Sequence, residues 1–304
     1  MKIQPVEYVW MDGKFIKWNE AKIHIMTHAL HYGTGVFEGI RAYPANGNLY
    51  VFRLKDHIKR LINSAKIYMM EINYTIEELT EVVLELLRIN KLKELCYIRP
   101  IVFRGLGEFG LNPFGSPIQI AICAFPVGAY LEKGGVSVCT SSWRRIPDTS
   151  LPSTAKACGS YLNSVLAKIE AVQNGYDEAI FIDGNGYLSE GAGENIFLIR
   201  KGTVYTPPIS SSILEGITRD SVIKIISDLG YPFFERPILR SELYICDEAF
   251  FTGTAAEITP ILKVDNRIVG DGKPGKITNE IKDFFSEIVS CKKPSYQHWL
   301  TKVY

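Results

Sequence analysis

The chain has 304 residues, of which 46% are hydrophobic and 22% are charged. These fractions are ordinary for a globular protein that buries a sizeable core. The formal net charge is +1 at pH 7, so no broad field favours nucleic acid or an anionic membrane. No apolar run approaches the ~20 residues that a membrane-spanning helix needs, and the first residues lack the basic-then-apolar pattern of a signal peptide.

The six cysteines are scattered along the chain, and none forms a C-x-x-C pair. A zinc site needs closely spaced ligands of this kind, and disulfides are typical of oxidising compartments. We therefore expect free thiols, no metal and a cytoplasmic location.

The first half of the chain carries both strand and helix signals. Asp12-Gly13 predicts a hairpin turn within residues 8–17. Thr75 followed by Glu78 predicts a capping box that opens a helix over residues 76–90. The other elements predicted here are strands at 49–52, 96–103 and 118–125 and a helix within 53–70.

Residues 126–135, PVGAYLEKGG, lack periodicity and contain proline and glycine. We predict an interdomain loop there, between a smaller α/β N-terminal domain (1–125) and a larger C-terminal domain (136–304). The elements predicted after it are strands at 136–141, 178–183, 186–189, 195–199, 247–252 and 258–264, and helices at 160–173, 218–229 and 277–289. The helix at 160–173 is amphipathic, and its apolar face comprises Leu162, Val165, Leu166, Ile169 and Val172. Strands and helices do not alternate strictly, which favours an α+β or mixed α/β class.

Lys156 is the first residue with candidate chemistry. Small residues surround it in Ser-Thr-Ala-Lys-Ala-Cys-Gly, so a bulky ligand could approach its amine. A lysine desolvated in this way could form a Schiff base. The alternative is an ordinary exposed loop lysine.

Glu190 is the second candidate, because it lies where a strand meets the glycine turn of SEGAGEN. A carboxylate beside a pyridine nitrogen keeps that nitrogen protonated. Otherwise Glu190 belongs to a plain surface hairpin.

Two segments have the features of anion sites. In LEGITRD, glycine permits close backbone approach, and Thr218 is a good N-cap for a helix whose amides could bind phosphate. The turn TGTAA offers hydroxyls and backbone amides for phosphate or carboxylate. Each also fits a purely structural cap or turn.

Two arginines could bind anions. Arg99 lies in an apolar strand-like run, where a buried charge needs an anionic partner such as a substrate carboxylate or an internal acid. Arg60 lies on a helix, where a solvated surface position is the alternative. The segment HALHYGTGVFEG mixes aromatics and glycines in a way that suits a pocket wall.

Two glycine patterns fit G-x-G-x-x-G, at Gly105–Gly110 and Gly270–Gly275. The first runs into Leu-Asn-Pro rather than a helix, and the second contains Pro274 and has no following strand. Neither has the βαβ context that gives this pattern its meaning in dinucleotide binding.

Six segments, in order, resemble the branched-chain amino acid aminotransferases, which are pyridoxal 5'-phosphate (PLP) enzymes of fold type IV. They are HALHYGTGVFEGIR, YIRP, SSWRRIPDTSLPSTAKACGSYLNS, NGYLSEGAGENIF, PPISSSILEGITRD and TGTAAEITP. The resemblance covers nearly the whole chain. It implies a two-domain fold like that of D-amino acid aminotransferase.

The resemblance also implies roles for individual residues. Lys156 is then the catalytic lysine, and Glu190 pairs with the pyridine nitrogen. The implied cofactor-binding residues are Arg60, Lys156, Tyr161, Glu190, Leu214, Gly216, Ile217, Thr218, Gly253 and Thr254. The implied substrate-binding residues are Tyr32, Phe37, Gly39, Tyr97, Arg99, Val127, Tyr130, Ala255 and Ala256.

The activity implied is transfer of the amino group of leucine, isoleucine or valine to 2-oxoglutarate. Homodimers, in some members stacked into hexamers, are the implied assembly, with no nucleic-acid or membrane partner. Close bacterial relatives tend to have tryptophan where this chain has Val127. The smaller side chain predicts some tolerance for larger or aromatic substrates.

Three other functions are compatible with parts of the sequence. Other fold type IV enzymes, namely D-amino acid and (R)-amine transaminases and aminodeoxychorismate lyase, keep the lysine and the glutamate, but YIRP and GTAAEITP favour the branched-chain group. A nicotinamide oxidoreductase would use one of the glycine patterns. A non-catalytic dimer scaffold would bind no cofactor.

Overall fold

The structure, a computed structural model, describes residues 3–128 and 134–304. These residues form two compact units. The first unit comprises the residues up to Gly128 together with Ala155–Gly159 and Glu287–Tyr304. The second unit comprises the residues from 134 to Thr154 and Ser160–Ser286.

The first unit is built on an antiparallel sheet of eight strands in the order β17-β5-β4-β6-β7-β1-β2, with β3 paired to β6. Its strands are β1 Tyr8–Met11, β2 Lys14–Lys17, β3 Gly35–Phe37, β4 Ile40–Ala45, β5 Asn48–Phe52, β6 Cys96–Arg104, β7 Ile118–Pro126 and β17 Leu300–Lys302. Its helices are α1 His28–Tyr32, α2 Leu54–Ile67 and α3 Ile76–Ile89.

Two local signals in this unit act as predicted. Asp12 and Gly13 both have positive φ, 46° and 88°, as a tight hairpin turn between β1 and β2 requires. Thr75 accepts a hydrogen bond from the Glu78 amide at 3.1 Å, and the Glu78 carboxylate accepts one from the Thr75 amide at 2.7 Å. The predicted capping box at the start of α3 is confirmed.

The two faces of this sheet have different surroundings. Along β6, Cys96, Ile98 and Val102 are buried in the core that α2 and α3 complete. Tyr97 and Arg99 alternate with them and are half-buried. Successive strand residues point to opposite faces, so Tyr97 and Arg99 share the face away from the core helices.

The second unit contains a mixed sheet of nine strands in the order β10-β9-β8-β15-β14-β11-β12-β13, with β16 paired to β15. Its strands are β8 Val136–Arg144, β9 Glu178–Ile182, β10 Leu188–Gly191, β11 Asn195–Arg200, β12 Thr203–Thr206, β13 Phe233–Glu235, β14 Glu248–Gly253, β15 Glu257–Val264 and β16 Arg267–Ile268. Its helices are α4 Tyr161–Gln173, α5 Ile217–Asp228 and α6 Lys276–Val289, the last of which extends into residues of the first unit.

Helix α4 buries its small side chains rather than its large apolar ones. Ala167 and Ala171 are fully buried in a cluster with strand residues of the sheet. The predicted apolar face is instead exposed, with Leu162 72% and Val172 60% accessible. Small residues let the helix approach the sheet closely, and its larger apolar residues face away.

The sequence-based domain boundaries differ from the compact units in two places. Residues 287–304, expected in the C-terminal domain, lie in the first unit because β17 pairs with β5. Residues 155–159 lie there too, since Ala157 forms a β-bridge with Val36. The interdomain loop at 126–135 stays a prediction, because residues 129–133 are outside the described part of the chain.

Helix α5 begins one residue earlier than predicted. Its N-cap is Gly216 rather than Thr218, and Thr218 lies inside the first turn. Among the described residues, no helix is both long and apolar enough to cross a bilayer.

Candidate active site

Lys156 is held in the first unit by its backbone. Its amide donates to Ser64 Oγ of α2 at 3.1 Å, and its carbonyl accepts from the amide of Phe37 at 3.0 Å. The first bond attaches the lysine segment to α2. The second bond, together with the β-bridge between Val36 and Ala157, attaches it to β3. A lysine anchored in this way has a fixed backbone position, which an amine that must meet a bound ligand requires.

The aromatic ring of Phe37 contacts both a lysine and an arginine. Lys156 Nζ lies 5.2 Å from the ring centroid, and Arg99 Cζ lies 4.6 Å from it. Cations at these distances are attracted by the ring quadrupole. The structure therefore brings Lys156, Arg99 and Phe37, three of the predicted site residues, to one place.

Tyr97 and Gly39 complete this cluster. Arg99 Nη2 donates to the Tyr97 hydroxyl at 3.0 Å. A Cβ atom on Gly39 would lie 1.9 Å from that hydroxyl oxygen, so no other residue fits at position 39 with Tyr97 in place. Glycine here is needed for space, and it allows tyrosine and arginine to present one donor surface that suits a carboxylate.

Arg60 is bound by a residue that the sequence did not single out. Glu38 is fully buried, and its Oε1 accepts from Arg60 Nε at 2.6 Å while its Oε2 accepts from Arg60 Nη2 at 2.9 Å. His57 Nδ1 is 2.7 Å from the same Oε2. Burial alone would raise the pKa of Glu38, but the charge of Arg60 and the hydrogen bonds from His57 and Arg60 outweigh it and hold the pKa below its ordinary value.

Glu190 is the centre of a buried polar cluster in the second unit. Arg145 Nη2 forms an ion pair with its Oε1 at 2.8 Å. Asn195 Nδ2 donates to its Oε2 at 3.0 Å, and the Leu214 amide donates to the same atom at 3.1 Å. These two hydrogen bonds and the guanidinium stabilise the ionised form of this carboxylate.

Asn195 also fixes the segment that leads into α5. Its Nδ2 donates to the Leu214 carbonyl at 2.9 Å. A Cβ on Gly216 would lie 2.0 Å from Asn195 Oδ1. Gly216 is therefore needed so that this amide can lie beside the start of the helix.

The start of α5 has the features of an anion site. Its N-cap residue, Gly216, has no side chain, and Ile217 and Thr218, both buried, are its first two residues. Helix N-termini attract anions through their amides and dipole. The other predicted phosphate segment, Gly253 and Thr254, leaves β14 and enters the turn to β15.

The remaining predicted site residues lie as follows. Ala255 and Ala256 continue the turn after Thr254, and Thr259 Oγ1 donates to the Ala256 carbonyl at 2.7 Å. Tyr161 is the first residue of α4, and Val127 is buried just after β7. Tyr32 contacts the rings of His28 and Phe109 rather than the cluster around Phe37. Tyr130 lies outside the described residues.

Neither glycine pattern forms a nucleotide loop. Gly105 to Gly110 belong to the connection between β6 and β7. Gly270 to Gly275 do precede α6, but Glu248 occupies the start of that helix. Its carboxylate accepts from the amides of Ile277 and Thr278 at 3.1 and 2.7 Å. This carboxylate takes two of the helix-start amides and already neutralises the positive end of the helix that a diphosphate would need.

Four residues of these clusters were missed in the sequence: Glu38, His57, Arg145 and Asn195. Glu38 could have been found, since a lone acid in the apolar run GVFEGIRAY needs a buried cation. The partners of His57 and Arg145 come from distant segments. Asn195 lies only five residues after Glu190, but no local spacing indicates that its amide turns back to that carboxylate.

Comparison with known proteins identifies the family of the chain. Residues 35–264 match the family model described as amino-transferase class IV. The branched-chain-amino-acid aminotransferase of Escherichia coli K12 is 44% identical over 308 residues, covering 100% of this chain and 99% of that protein.

Two solved structures resemble the chain over nearly its full length. The branched-chain aminotransferase of Thermoproteus uzoniensis with norvaline is 48% identical, with a TM-score of 0.95 and coverage of 98% of this chain and 100% of that one. The T.th. branched-chain amino acid aminotransferase complexed with N-(5'-phosphopyridoxyl)-L-glutamate is 45% identical, with a TM-score of 0.96 and full coverage of both chains. These similarities confirm the predicted mixed α/β fold type IV class. The chain therefore belongs to the class IV aminotransferases and, among them, to the branched-chain-amino-acid aminotransferases.

Proposed function

We propose that this chain uses PLP to transfer the amino group of L-leucine, L-isoleucine or L-valine to 2-oxoglutarate, giving branched 2-oxo acids and L-glutamate. One observation carries the proposal: the amine of Lys156 and the guanidinium of Arg99 lie against the same ring, that of Phe37. An α-amino acid needs both a proton-transferring amine at its Cα and a cation at its carboxylate.

The residues of the chain fit the chemical groups of PLP. Its phosphate matches Arg60 in the first unit and, in the second, the start of α5 at Ile217 and Thr218. Its pyridine nitrogen matches the ionised carboxylate of Glu190. We assign the further cofactor contacts to Tyr161, Leu214, Gly216, Gly253 and Thr254.

Bound PLP supplies an electron sink that stabilises negative charge developing at the substrate Cα. In the second unit, Glu190 favours the protonated pyridine nitrogen, and Arg145 and Asn195 keep this carboxylate ionised and oriented. In the first unit, Lys156 Nζ takes the Cα proton and later returns it as general base and acid. Arg99 and Tyr97 bind the α-carboxylate.

The comparisons support the substrates. The T. uzoniensis enzyme was crystallised with norvaline, an unbranched aliphatic amino acid. The T.th. enzyme was crystallised as a complex with a phosphopyridoxyl adduct of L-glutamate. We assign the aliphatic side-chain pocket to Tyr32, Phe37, Gly39, Val127 and Tyr130, and part of the carboxylate site to Ala255 and Ala256. D-amino acid and (R)-amine substrates are not favoured, because the relatives compared are branched-chain enzymes.

We also propose that the chain forms homodimers, which can stack into hexamers, in the cytoplasm. Exposed apolar residues support an assembly of identical chains, since large exposed apolar patches are typical of interfaces. One group lies on α4, and another, Phe109, Leu111 and Phe114, lies in the connection between β6 and β7.

Spectrophotometric half-reactions test the function directly. Purified protein with PLP should change its absorption on addition of L-leucine and revert with 2-oxoglutarate, and it should do so more slowly with D-alanine. Lys156→Ala is the control and should remove both changes, while borohydride reduction of the unmodified protein should leave the cofactor attached to Lys156. Faster reaction with D-alanine than with L-leucine would contradict the proposal.

A further inference from the structure

We propose that Glu38, supported by His57, is a positioning residue that aims the Arg60 guanidinium at the phosphate of PLP. The proposal rests on the proposed function, because it takes Arg60 as a phosphate ligand. It adds Glu38, between β3 and β4, and His57, on α2, to the residues that determine cofactor affinity.

The contact between Glu38 and Arg60 fixes the orientation of the guanidinium. Arg60 uses Nε and Nη2, the two nitrogens of one edge, to bind the two carboxylate oxygens at 2.6 and 2.9 Å. Since the guanidinium is planar, two bonds along one edge determine its plane. Nη1 lies on the side of the guanidinium away from Glu38, so the carboxylate that fixes the plane also fixes the direction of Nη1.

His57 fixes the carboxylate in turn. The histidine is 1% exposed, and its Nδ1 lies 2.7 Å from Glu38 Oε2. Burial lowers the pKa of His57, despite the opposing charge of Glu38, so the imidazole is neutral. A neutral ring that donates from Nδ1 adds a hydrogen bond without adding a second positive charge.

Stability alone does not explain why Glu38, His57 and Arg60 are buried together. Burying an ion pair removes two charges from water, and well-packed apolar residues of similar volume often stabilise a core as well or better. Arg60 is only 14% exposed, so its charge also contributes little to solubility. A role in holding the guanidinium accounts for three polar side chains being kept in this part of the core.

The backbone at Glu38 connects the cluster to the rest of the site. Phe37 on one side donates its amide to the Lys156 carbonyl, and Gly39 on the other side makes room for Tyr97. The Glu38 amide itself donates to the Pro100 carbonyl at 2.9 Å. Three consecutive residues thus contact the lysine segment, the arginine of the phosphate site and the tyrosine of the carboxylate site.

The test compares PLP with pyridoxal, which lacks the phosphate. Dissociation constants of both are measured for the apoprotein by absorbance titration. Glu38→Gln keeps the shape of the side chain but loses its charge, so Arg60 should lose its fixed orientation. We expect PLP affinity to fall by ~10- to 100-fold, equivalent to about 1.4–2.8 kcal/mol, and pyridoxal affinity to stay within about twofold.

Matched variants separate positioning from folding. His57→Asn places an amide donor near the position of Nδ1 and should keep most of the preference for PLP, whereas His57→Phe should lose part of it. Arg60→Lys should lower the ratio of PLP affinity to pyridoxal affinity. The double variant Arg60→Lys with Glu38→Gln should lower this ratio by less than the product of the two single effects.

The outcomes distinguish the two proposals. A PLP-to-pyridoxal affinity ratio that Arg60→Lys lowers, but that Glu38→Gln and His57→Phe leave unchanged, would overturn the positioning role. Equal weakening of both ligands by Glu38→Gln would overturn it too, since that is what a general loss of structure produces. Failure of the unmodified protein to bind PLP would instead contradict the proposed function.

Discussion

Replacing Gly216 by alanine should damage the site of Glu190 through a single steric contact. Gly216 has φ −70° and ψ 131°, values that alanine adopts readily, so backbone strain is not involved. The new Cβ would lie 2.0 Å from Asn195 Oδ1. Since no real Cβ contact is that short, Asn195 must turn away.

The cost follows from the bonds that Asn195 makes. Turning it away breaks the hydrogen bonds to Glu190 Oε2 at 3.0 Å and to the Leu214 carbonyl at 2.9 Å. One bond to a charged group and one to a neutral group together contribute about 2–4 kcal/mol. Loss of glycine as the N-cap adds about 0.5–1 kcal/mol. We also expect weaker PLP binding, because Glu190 loses the hydrogen bond from Asn195.

Urea unfolding and PLP titration, at fixed protein concentration, measure both effects. Gly184→Ala is the matched control, because a Cβ there meets no atom within 4 Å, and it should change stability by less than about 0.5 kcal/mol. In an Asn195→Ala background the clash disappears, so Gly216→Ala should then cost only its N-cap contribution. An undiminished cost in that background would refute the steric explanation.

Three further predictions concern other parts of the chain. Gly39→Ala should displace the Tyr97 hydroxyl, because the new Cβ would lie 1.9 Å from it. In steady-state kinetics, KM for L-leucine and for 2-oxoglutarate should rise about tenfold. In a Tyr97→Phe background, Gly39→Ala should raise KM by less. Burial, and then the charge of Glu178, raise the pKa of Glu194 to about 8. The folded state therefore holds a proton that the unfolded state loses near its ordinary pKa of 4.5, so stability falls as pH rises between these values. Glu194→Gln should remove this loss of stability, which is on the order of a few kcal/mol. Thermal unfolding of the variant and the unmodified protein is compared at pH 5 and at pH 9. The same difference in stability between the two proteins at both pH values would contradict the reasoning. Val127→Trp should lower the rate with L-phenylalanine relative to L-leucine by about tenfold or more; an unchanged ratio in half-reaction kinetics would rule out the smaller wall as a determinant of substrate size.

The sequence alone determined the features that depend on neighbouring residues. Asp12-Gly13 specified a turn because both positions need positive φ, and Thr75 with Glu78 specified a helix start because their hydrogen bonds span only three residues. The order of six motifs specified the family. In each case the determining interaction, or the chemical group, lies within one short segment.

The tertiary structure decided which residues meet across long separations. Nothing local to Gly216 indicates that its missing Cβ makes room for Asn195, 21 positions earlier, and nothing local to Arg60 indicates Glu38 as its partner. The amphipathic pattern of α4 predicted a helix but not which face is buried, because periodicity gives the spacing of apolar residues and not their neighbours. In the same way, β17 has too few residues to be recognised as a strand until its pairing with β5 supplies the hydrogen bonds. Local geometry follows from bonded neighbours, whereas burial and pairing depend on the whole chain being folded.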